Sequence, residues 1–288
     1  MQKESLSIIT PGWKAAIAAT GGNLFRLEYR NANLKVLRQP ASLRELAASP
    51  AVYGIPLLFL PNRIEDGCFT LDSREYRFPI NETAKNNHLH GFMHKKKWQL
   101  SKSSDKLAAS YHHTDLEIWP FEFKVNVEYL FTSDRMMQTI KFHNLSQERM
   151  PFFFGQHTAF RLPDTAEVDV SAGRRINLSG RNLPDGTYSD YKTVFNSKSD
   201  PVDMLVENSG FYARINHPGI QITYKVDPQY KFWVLWNWDH RHRIFCIEPQ
   251  TCTINPVKAA ALLKDTGIRF IDPHQENTLQ TEIVIKER

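Results

Sequence analysis

A strict alternation of apolar and polar residues is the feature that most constrains how this chain can fold. Residues 121–129 read Phe-Glu-Phe-Lys-Val-Asn-Val-Glu-Tyr, with an apolar side chain at every odd-numbered position. Successive side chains of a β-strand point to opposite faces, so this period of two predicts a half-buried strand. The chain must therefore contain a sheet with one face packed against a core.

The same alternation recurs along the chain and predicts an all-β fold. Further stretches cover residues 220–226 and 279–285, with shorter versions at 23–29 and 138–142. No stretch of this kind alternates with long helices, as a parallel α/β protein requires. The pattern therefore predicts an antiparallel sandwich, and the absence of repeats and linker-like stretches predicts a single domain over residues 1–288.

Turn and helix signals are short and lie between these stretches. Turn-forming residues occupy positions 65–67, 183–186 and 208–210, and the polar segment 197–203 is predicted to be a loop. Helical patterns are confined to residues 41–48 and 257–263, where Pro256 suits the first helical position. We therefore expect only a few short helices.

The composition excludes several classes of protein. The 288 residues carry 36 Lys and Arg against 31 Asp and Glu, and this net charge of +5 is too dispersed to indicate a nucleic-acid partner. Three cysteines cannot form a disulfide framework, which favours a reducing, cytoplasmic setting. No apolar run approaches the roughly 18 residues of a membrane span, and the first residues lack the apolar core of a signal peptide. We expect no membrane partner.

Three segments place an ionisable side chain among apolar or small neighbours. His90 lies within residues 86–94, His157 follows Phe152-Phe153-Phe154-Gly155-Gln156, and Glu248 lies within Ile244-Phe245-Cys246-Ile247-Glu248-Pro249. Desolvation shifts the pKa of such groups, which makes them candidates for acid and base chemistry. The alternative is structural, with each histidine hydrogen-bonded in the core and Glu248 in a salt bridge to a buried arginine.

Metal and cofactor motifs are weak or missing. His88, His90 and His94 lie close together, and His240 and His242 flank an arginine, but no Cys or carboxylate joins either group at a familiar metal-site spacing. The chain has no Gly-x-Ser-x-Gly elbow and no glycine-rich phosphate loop. We therefore predict neither a metal nor a cofactor.

Taken together, in this order and at these separations, the segments resemble the aldose 1-epimerase (galactose mutarotase) family. The residues that carry the resemblance are Asn62-Arg63-Ile64-Glu65-Asp66-Gly67, Leu89-His90-Gly91-Phe92 with Trp98 following, His157-Thr158-Ala159-Phe160-Arg161-Leu162, and Glu248-Pro249-Gln250. Two positions depart from the family pattern. Phe92 replaces a second glycine, as in a branch with a less defined sugar preference, and Ala159 stands where an aromatic is common.

The resemblance implies a fold, a reaction and a set of site residues. The fold is a β-supersandwich of large antiparallel sheets with an open cleft for its partner, a small aldose sugar. The reaction is interconversion of the α and β anomers by ring opening and closure, without a cofactor. The implied catalytic residues are Glu248 as general base, His157 as general acid and His90 as a hydrogen-bond donor near the ring oxygen. The implied substrate-binding residues are Arg63, Asp203, Asn62 and Gln250, with Trp98, Trp236 or Trp238 stacking on the sugar.

Other functions stay open at this point. The cluster of Lys95, Lys96 and Lys97 could hold a phosphate, as could Arg241 with Arg243, which is what a hexose-6-phosphate 1-epimerase requires. A non-catalytic carbohydrate-binding module could keep the cleft without the activity. A glycoside hydrolase is disfavoured because only one of its two usual carboxylates has a candidate. The sequence leaves the oligomeric state open between a monomer and a homodimer.

Overall fold

The computed structural model describes residues 3–191, 194–196, 201–237 and 243–288, and antiparallel sheets dominate it. In chain order its strands are β1 (Ser5–Ile9), β2 (Trp13–Ala18), β3 (Leu24–Tyr29), β4 (Leu34–Lys35), β5 (Leu57–Leu58), β6 (Arg63–Glu65), β7 (Cys68–Leu71), β8 (Arg74–Arg77), β9 (Asn87–Leu89), β10 (Gln99–Lys102), β11 (Lys106–His113), β12 (Phe123–Phe131), β13 (Arg135–Asn144), β14 (Met150–Phe152), β15 (Gly155–Gln156), β16 (Thr158–Arg161), β17 (Glu167–Leu178), β18 (Pro184–Ser189), β19 (Val194–Asn196), β20 (Asp203–His217), β21 (Ile220–Val226), β22 (Phe232–Trp236), β23 (Ile244–Gln250), β24 (Arg269–Ile271) and β25 (Glu276–Glu287). The helices are α1 (Leu43–Ala48) and α2 (Pro256–Ala259), with 3-10 turns at Thr83–Lys85 and Met93–Lys95.

One large sheet forms most of the molecule. Its strands run in the order β10-β11-β12-β13-β25-β21-β20-β22-β23-β15-β5, with β16 beside β23 and with β17 to β19 branching from β20. A four-stranded sheet, β1 to β4, packs against β10 and β11. Three further pairs, β6-β9, β7-β8 and β14-β24, complete the sheets of the described residues. The all-β prediction is confirmed.

The predicted alternation corresponds to real strands. In β12 the side chains from Phe123 to Phe131 are alternately buried and solvent-facing, as a half-buried strand requires. The stretch 220–226 is β21, and 279–285 lies within β25. The predicted strand 121–129 corresponds to β12, which begins and ends two residues later. Phe121 is buried, but it belongs to the irregular segment that precedes the strand.

Some boundaries differ from the sequence prediction. The helices are shorter than expected, and Pro256 occupies the start of α2 as predicted. The turn predicted at 208–210 is wrong, because these residues lie inside the long strand β20. There the register against β17 shifts, and the Asn208 side chain accepts a hydrogen bond from the Phe211 amide. A bulge absorbs the turn-forming residues without breaking the strand. The turn predicted at 183–186 is also wrong in its position, because residues 184–186 already belong to strand β18. Part of the predicted loop 197–203 lies outside the described residues.

The core is rich in aromatic rings contributed by distant parts of the chain. The Phe59 ring lies 5.5 Å from that of Trp119 and 5.7 Å from that of Phe142, between centroids. The ring of Phe142 in turn lies 5.0 Å from that of Phe152 and 5.1 Å from that of Phe154. The buried core cluster runs from Ile8 to Ile285. The single-domain organisation stays a prediction.

Two features bear on the setting of the protein. No helix among the described residues has the length and apolar character needed to cross a membrane. Cys246 and Cys252 are buried free thiols, and Cys68 is a half-buried one. The cytoplasmic location stays a prediction.

The aromatic cluster generates a stability prediction. Replacing Phe142 by alanine removes a fully buried ring, so we expect a loss of about 3–5 kcal/mol in the free energy of unfolding. Urea unfolding followed by tryptophan fluorescence measures it. As a control, Leu116→Ala at a side chain that is 54% exposed should change stability by less than about 0.5 kcal/mol. Equal losses for both variants would contradict this account of the core.

Candidate active site

Glu248 lies in the interior because its strand is buried on both faces. All residues of β23 are buried, which agrees with its almost continuously apolar sequence. β22 pairs with one edge of β23, and β15 and β16 pair with the other. The Glu248 side chain is 2% exposed, so its carboxyl group is removed from bulk water.

The register of this sheet brings His157 to Glu248. Gly155 pairs with Gln250 and Thr158 pairs with Ile247, so the same antiparallel register sets His157 opposite Glu248. Opposed residues in an antiparallel pair project from the same face. The Nε2 atom of His157 lies 3.1 Å from Oε1 of Glu248, and the two groups form a buried hydrogen-bonded pair.

Neighbouring strands add two more side chains to this face. Val234 pairs with Glu248, and Asp203 pairs with Trp236, two residues further along β22. Since alternate residues share a face, Asp203, Trp236 and Glu248 project in the same direction. The Trp236 ring meets that of His157 at 5.7 Å between centroids.

The antiparallel pair β6-β9 forms the opposite wall, which we call the β6-β9 wall; β7 and β8 lie between its two strands in the chain. In the β6-β9 pair Arg63 lies opposite Leu89, and just beyond it the His90 amide donates to the Asn62 carbonyl at 2.9 Å. His90 has a positive φ of 68°, and Gly91 follows with a φ of 60°. A Cβ atom on Gly91 would lie 2.1 Å from the Phe59 carbonyl oxygen, so only glycine fits beside His90.

The sheet face and the β6-β9 wall enclose a cavity of about 280 Å³. It is lined by Ala51, Val52, Asn62, Arg63, Leu89, His90, His157, Asp203, Val234, Trp236 and Glu248. This volume lies just below the usual range for ligand pockets, about 300–1,000 Å³, and suits a small molecule. Six of the seven predicted site residues therefore share one cavity.

Burial favours the neutral forms of the ionisable groups in the cavity. Burial raises the pKa of Glu248 well above its ordinary value, and the charge of Asp203 adds to this, whereas Gln250 and Arg63 oppose it. Burial lowers the pKa of His157 to about 4. Burial also lowers the pKa of His90 well below its ordinary value, with His157 and His94 adding to the shift. The site therefore holds acid and base groups with strongly displaced proton affinities.

The charge of Arg63 is largely neutralised within the protein. Its Nε atom lies 3.0 Å from Oε2 of Glu82, and its Nη2 atom donates to Oε1 of Glu82 at 3.0 Å. This ion pair lowers the pKa of Glu82 against the opposing effect of burial. Among the residues that the structure describes, Glu248 makes no salt bridge to an arginine, which was the alternative considered for it. Arg63 binds Glu82 instead, and His157 pairs with Glu248.

The remaining sequence predictions fall in different places. Gln250 is fully buried and does not line the cavity, but its Nε2 atom donates to Oε2 of Glu248 at 3.3 Å. Trp98 is fully buried and stacks on Tyr111, away from the cavity. Lys96 pairs with Asp115 and Lys97 with Glu4, and neither lysine lines the cavity. Trp238, His240, Arg241 and His242 lie outside the described residues.

Sequence reasoning missed two residues that hold site groups. Glu82 anchors Arg63, and the Nδ2 atom of Asn182 donates to Oδ2 of Asp203 at 2.7 Å. Neither residue belongs to a motif, and their only sequence signal is a polar side chain near a turn. Within the described ranges, no group of three or more His, Cys, Asp and Glu side chains has an arrangement that could hold a metal ion.

Comparisons with known proteins agree with this architecture. A family model described as aldose 1-epimerase matches residues 4–264. The chain is similar to the uncharacterized protein YihR of Escherichia coli K12, with 29% identity over 98 residues, 34% of this chain and only 30% of that protein. It is also similar to the uncharacterized protein YphB of E. coli K12, with 28% identity over 218 residues, 68% of this chain and 72% of that protein.

A solved structure identifies the fold. The crystal structure of a galactose mutarotase-like protein from Clostridium acetobutylicum has a TM-score of 0.90 and 27% identity, and the match covers 99% of this chain and 95% of that one. The arrangement of sheets is therefore the galactose mutarotase-like fold, and the predicted β-supersandwich is confirmed.

The raised pKa of Glu248 has a consequence for stability. A carboxyl group whose pKa is higher in the folded state than in the unfolded chain costs stability as the pH rises from about 4.5 toward the folded-state value. Glutamine removes this cost. We therefore expect Glu248→Gln to be more stable than the wild type at pH 7.5, with a smaller difference at pH 4.5, in urea unfolding at both pH values.

The matched control for this experiment is Glu122→Gln. Glu122 also bonds a histidine, His112, but its side chain is 45% exposed. Its substitution should not make the protein more stable than the wild type at either pH value. A Glu248→Gln variant that is less stable than the wild type at pH 7.5 would show that ionised Glu248 is not a cost to the fold.

Proposed function

Because this chain belongs to the aldose 1-epimerase family, we propose that it interconverts the α and β anomers of a hexose by acid and base catalysis. The observation that carries the proposal is the buried His157–Glu248 pair at the floor of a small cavity. Such a pair offers an acceptor and a donor of protons side by side, in a site from which water is largely removed.

Anomer exchange needs two proton transfers. The Glu248 carboxylate takes the proton of the anomeric hydroxyl, the bond from C1 to the ring oxygen breaks, and His157 gives a proton to the ring oxygen. The product is the open-chain aldehyde. Rotation about the C1–C2 bond turns the other face of the carbonyl to the ring hydroxyl, and the reverse steps close the ring as the second anomer.

The pair holds one proton throughout this cycle. Before ring opening the proton is on His157, and afterwards Glu248 carries it, so the two stages are tautomers of one singly protonated pair. Burial lowers the pKa of His157 and raises the pKa of Glu248, which favours the second stage. The same order of pKa values favours the proton on Glu248 when the closed sugar is bound, so the reactive form with the proton on His157 is the less stable tautomer there. Ring opening returns the pair to its favoured tautomer.

Other cavity residues supply binding and orientation. His90 donates a hydrogen bond near the ring oxygen, a role supported by the 5.4 Å between the centroids of its ring and that of His157. Asn62, Arg63 and Asp203 bind sugar hydroxyls, with Arg63 held rigid by Glu82. Gln250 acts on Glu248 through its hydrogen bond. In the proposed steps the protein groups transfer protons while the bond from C1 to the ring oxygen breaks and re-forms, and His157 and Glu248 supply both proton transfers.

A neutral sugar fits the described cavity better than a sugar phosphate. Of the described lining residues, Arg63 alone carries a cationic side chain at neutral pH, and Glu82 already binds it through two oxygens. Asp203 and its carboxylate also line the cavity. A phosphate group would therefore meet more negative than free positive charge here.

Polarimetry tests the proposed activity. The wild type should accelerate the mutarotation of freshly dissolved α-glucose or α-galactose, and Glu248→Gln and His157→Asn should each reduce kcat by about 10² or more, because each removes a proton-transfer group. The 6-phosphates of both sugars are run in parallel. Faster turnover of a 6-phosphate than of the free sugar would move the function to a hexose-6-phosphate 1-epimerase.

The surface pair of His112 and Glu122 provides matched controls. Its Nε2 and Oε1 atoms are 2.7 Å apart, but both side chains are largely exposed. His112→Asn and Glu122→Gln should therefore leave the rate unchanged. If the wild type matches the buffer rate on every sugar while still binding one of them, the protein is a carbohydrate-binding module.

The pH profile follows from the singly protonated pair. Activity should fall on the acid side at a pH near 4, where His157 takes up a second proton. It should fall on the alkaline side as the pair loses its shared proton, at a pH well above the ordinary value for glutamate. The measurement is kcat/KM over pH 3.5–9.5, with the protein's fold monitored by circular dichroism. An acid limb near 6.5, the ordinary histidine value, would contradict a desolvated His157.

A further inference from the structure

A tight turn outside the cavity connects its two walls. The turn lies between β17 and β18 and contains Arg181 and Asn182. Neither residue lines the cavity, and the cycle above assigns a role to neither. Each of them nevertheless bonds to an element that carries site residues.

Arg181 anchors the turn to the β6-β9 wall. Its Nη1 atom donates to Oε1 of Glu65 at 3.0 Å, and its Nη2 atom donates to Oδ1 of Asp66 at 2.8 Å. Its Nε atom donates to the Lys85 carbonyl at 2.9 Å. Glu65 belongs to β6, Asp66 directly follows it, and Lys85 lies in the segment that leads into β9. The turn is therefore anchored to the element that positions Arg63 and His90.

Asn182 connects the turn to the sheet wall. Its backbone has a φ of 57°, a left-handed conformation that asparagine and glycine adopt more readily than other residues. In this conformation its Nδ2 atom reaches Oδ2 of Asp203 at 2.7 Å. Among the described residues, Asn182 is the sole hydrogen-bond partner of the Asp203 carboxylate. Without it, a half-buried aspartate would be free to change rotamer.

We propose that Asn182, anchored by Arg181, is a positioning residue that holds the Asp203 carboxylate at the cavity wall, on the sheet face that carries Glu248. The inference rests on the proposed function for its consequence in catalysis. A fixed Asp203 presents a constant acceptor to the sugar. It also holds its negative charge near Glu248, where that charge adds to the raised pKa.

The direction of the effect on proton affinity is determined by the charges around Glu248. Among the described residues, the titratable and charged groups around it are His157 from the strand opposite, Asp203 from β20, Arg63 and His90 from the β6-β9 wall, and the Cys246 thiol on its own strand. Of the carboxylates, Asp203 is the one that raises the pKa of Glu248. Releasing Asp203 should therefore lower that pKa and move the alkaline limb of the pH profile to lower pH.

The Asn182→Gly variant separates the effect of the Asn182 side chain from that of its backbone conformation. Glycine keeps the left-handed turn, and only the amide that bonds Asp203 is lost. We expect kcat/KM to fall about tenfold, the usual scale for a hydrogen bond to a charged group, mainly through a higher KM, with the alkaline limb displaced to lower pH. Asn33→Gly is the matched control, since Asn33 is also left-handed, with a φ of 49°, in an exposed turn. It should change neither quantity.

A double-mutant cycle tests whether Asn182 acts through Asp203. Adding Asn182→Gly to Asp203→Ala should cause no further loss, because its partner is already gone. Equal losses in both backgrounds, or an Asn182→Gly variant with the wild-type KM and pH profile, would overturn the proposal.

A measurement without turnover keeps this test separate from the proposed function. In protein labelled with ¹³C at the glutamate carboxyl carbon, the Glu248 resonance is assigned by its loss in Glu248→Gln and is titrated in the wild type and in Asn182→Gly. A lower pKa of Glu248 in the variant supports the positioning role even if no sugar is turned over. An unchanged pKa contradicts the positioning role even if the wild type is an active mutarotase.

Discussion

The burial of one carboxyl group is the constraint around which this molecule is organised. Glu248 lies on a strand with no solvent-facing residue, where an unpaired charge would cost several kcal/mol. The hydrogen bond to His157 and the amide of Gln250 offset part of that cost. The remaining cost appears as a raised proton affinity. The burial that destabilises the ionised form of Glu248 is therefore the same feature that raises its pKa, on which the proposed proton transfer depends.

Register, rather than sequence proximity, assembles the site. Glu248 and His157 meet because two antiparallel strands pair in one specific register, and a shift by one residue would turn one of them to the opposite face. The β6-β9 wall is held by tight contacts, such as that between Gly91 and the Phe59 carbonyl. Since both walls are built on paired strands, the cavity groups are held with little freedom to reorient, as proton transfer over hydrogen-bond distances requires.

The parts that could be predicted from sequence are those with a local signal. Alternation identified β21 to the residue and located β12 within two residues. Glu248 and His157 could be selected because an ionisable residue within an apolar run is conspicuous. The sequence predicted a turn at residues 208–210 where β20 has a bulge, because turn-forming residues look the same in a bulge and in a turn. Glu82 and Asn182 were missed because they act on partners 19 and 21 residues away, and no local pattern reports such a contact.

The basic character of the chain and the charge of its cavity are separate matters. The chain as a whole has a net charge of +5. The described cavity lining, in contrast, contains Asp203 and Glu248 and one arginine, which Glu82 already binds. Lys96 and Lys97 pair with carboxylates elsewhere on the surface. An anion entering the cavity would thus lose hydration without gaining a free cation among these residues, whereas hydroxyl groups can donate to the carboxylates and accept from Asn62. The local charge balance, unlike the overall one, therefore supports the proposed neutral polyhydroxylated ligand over an anionic one.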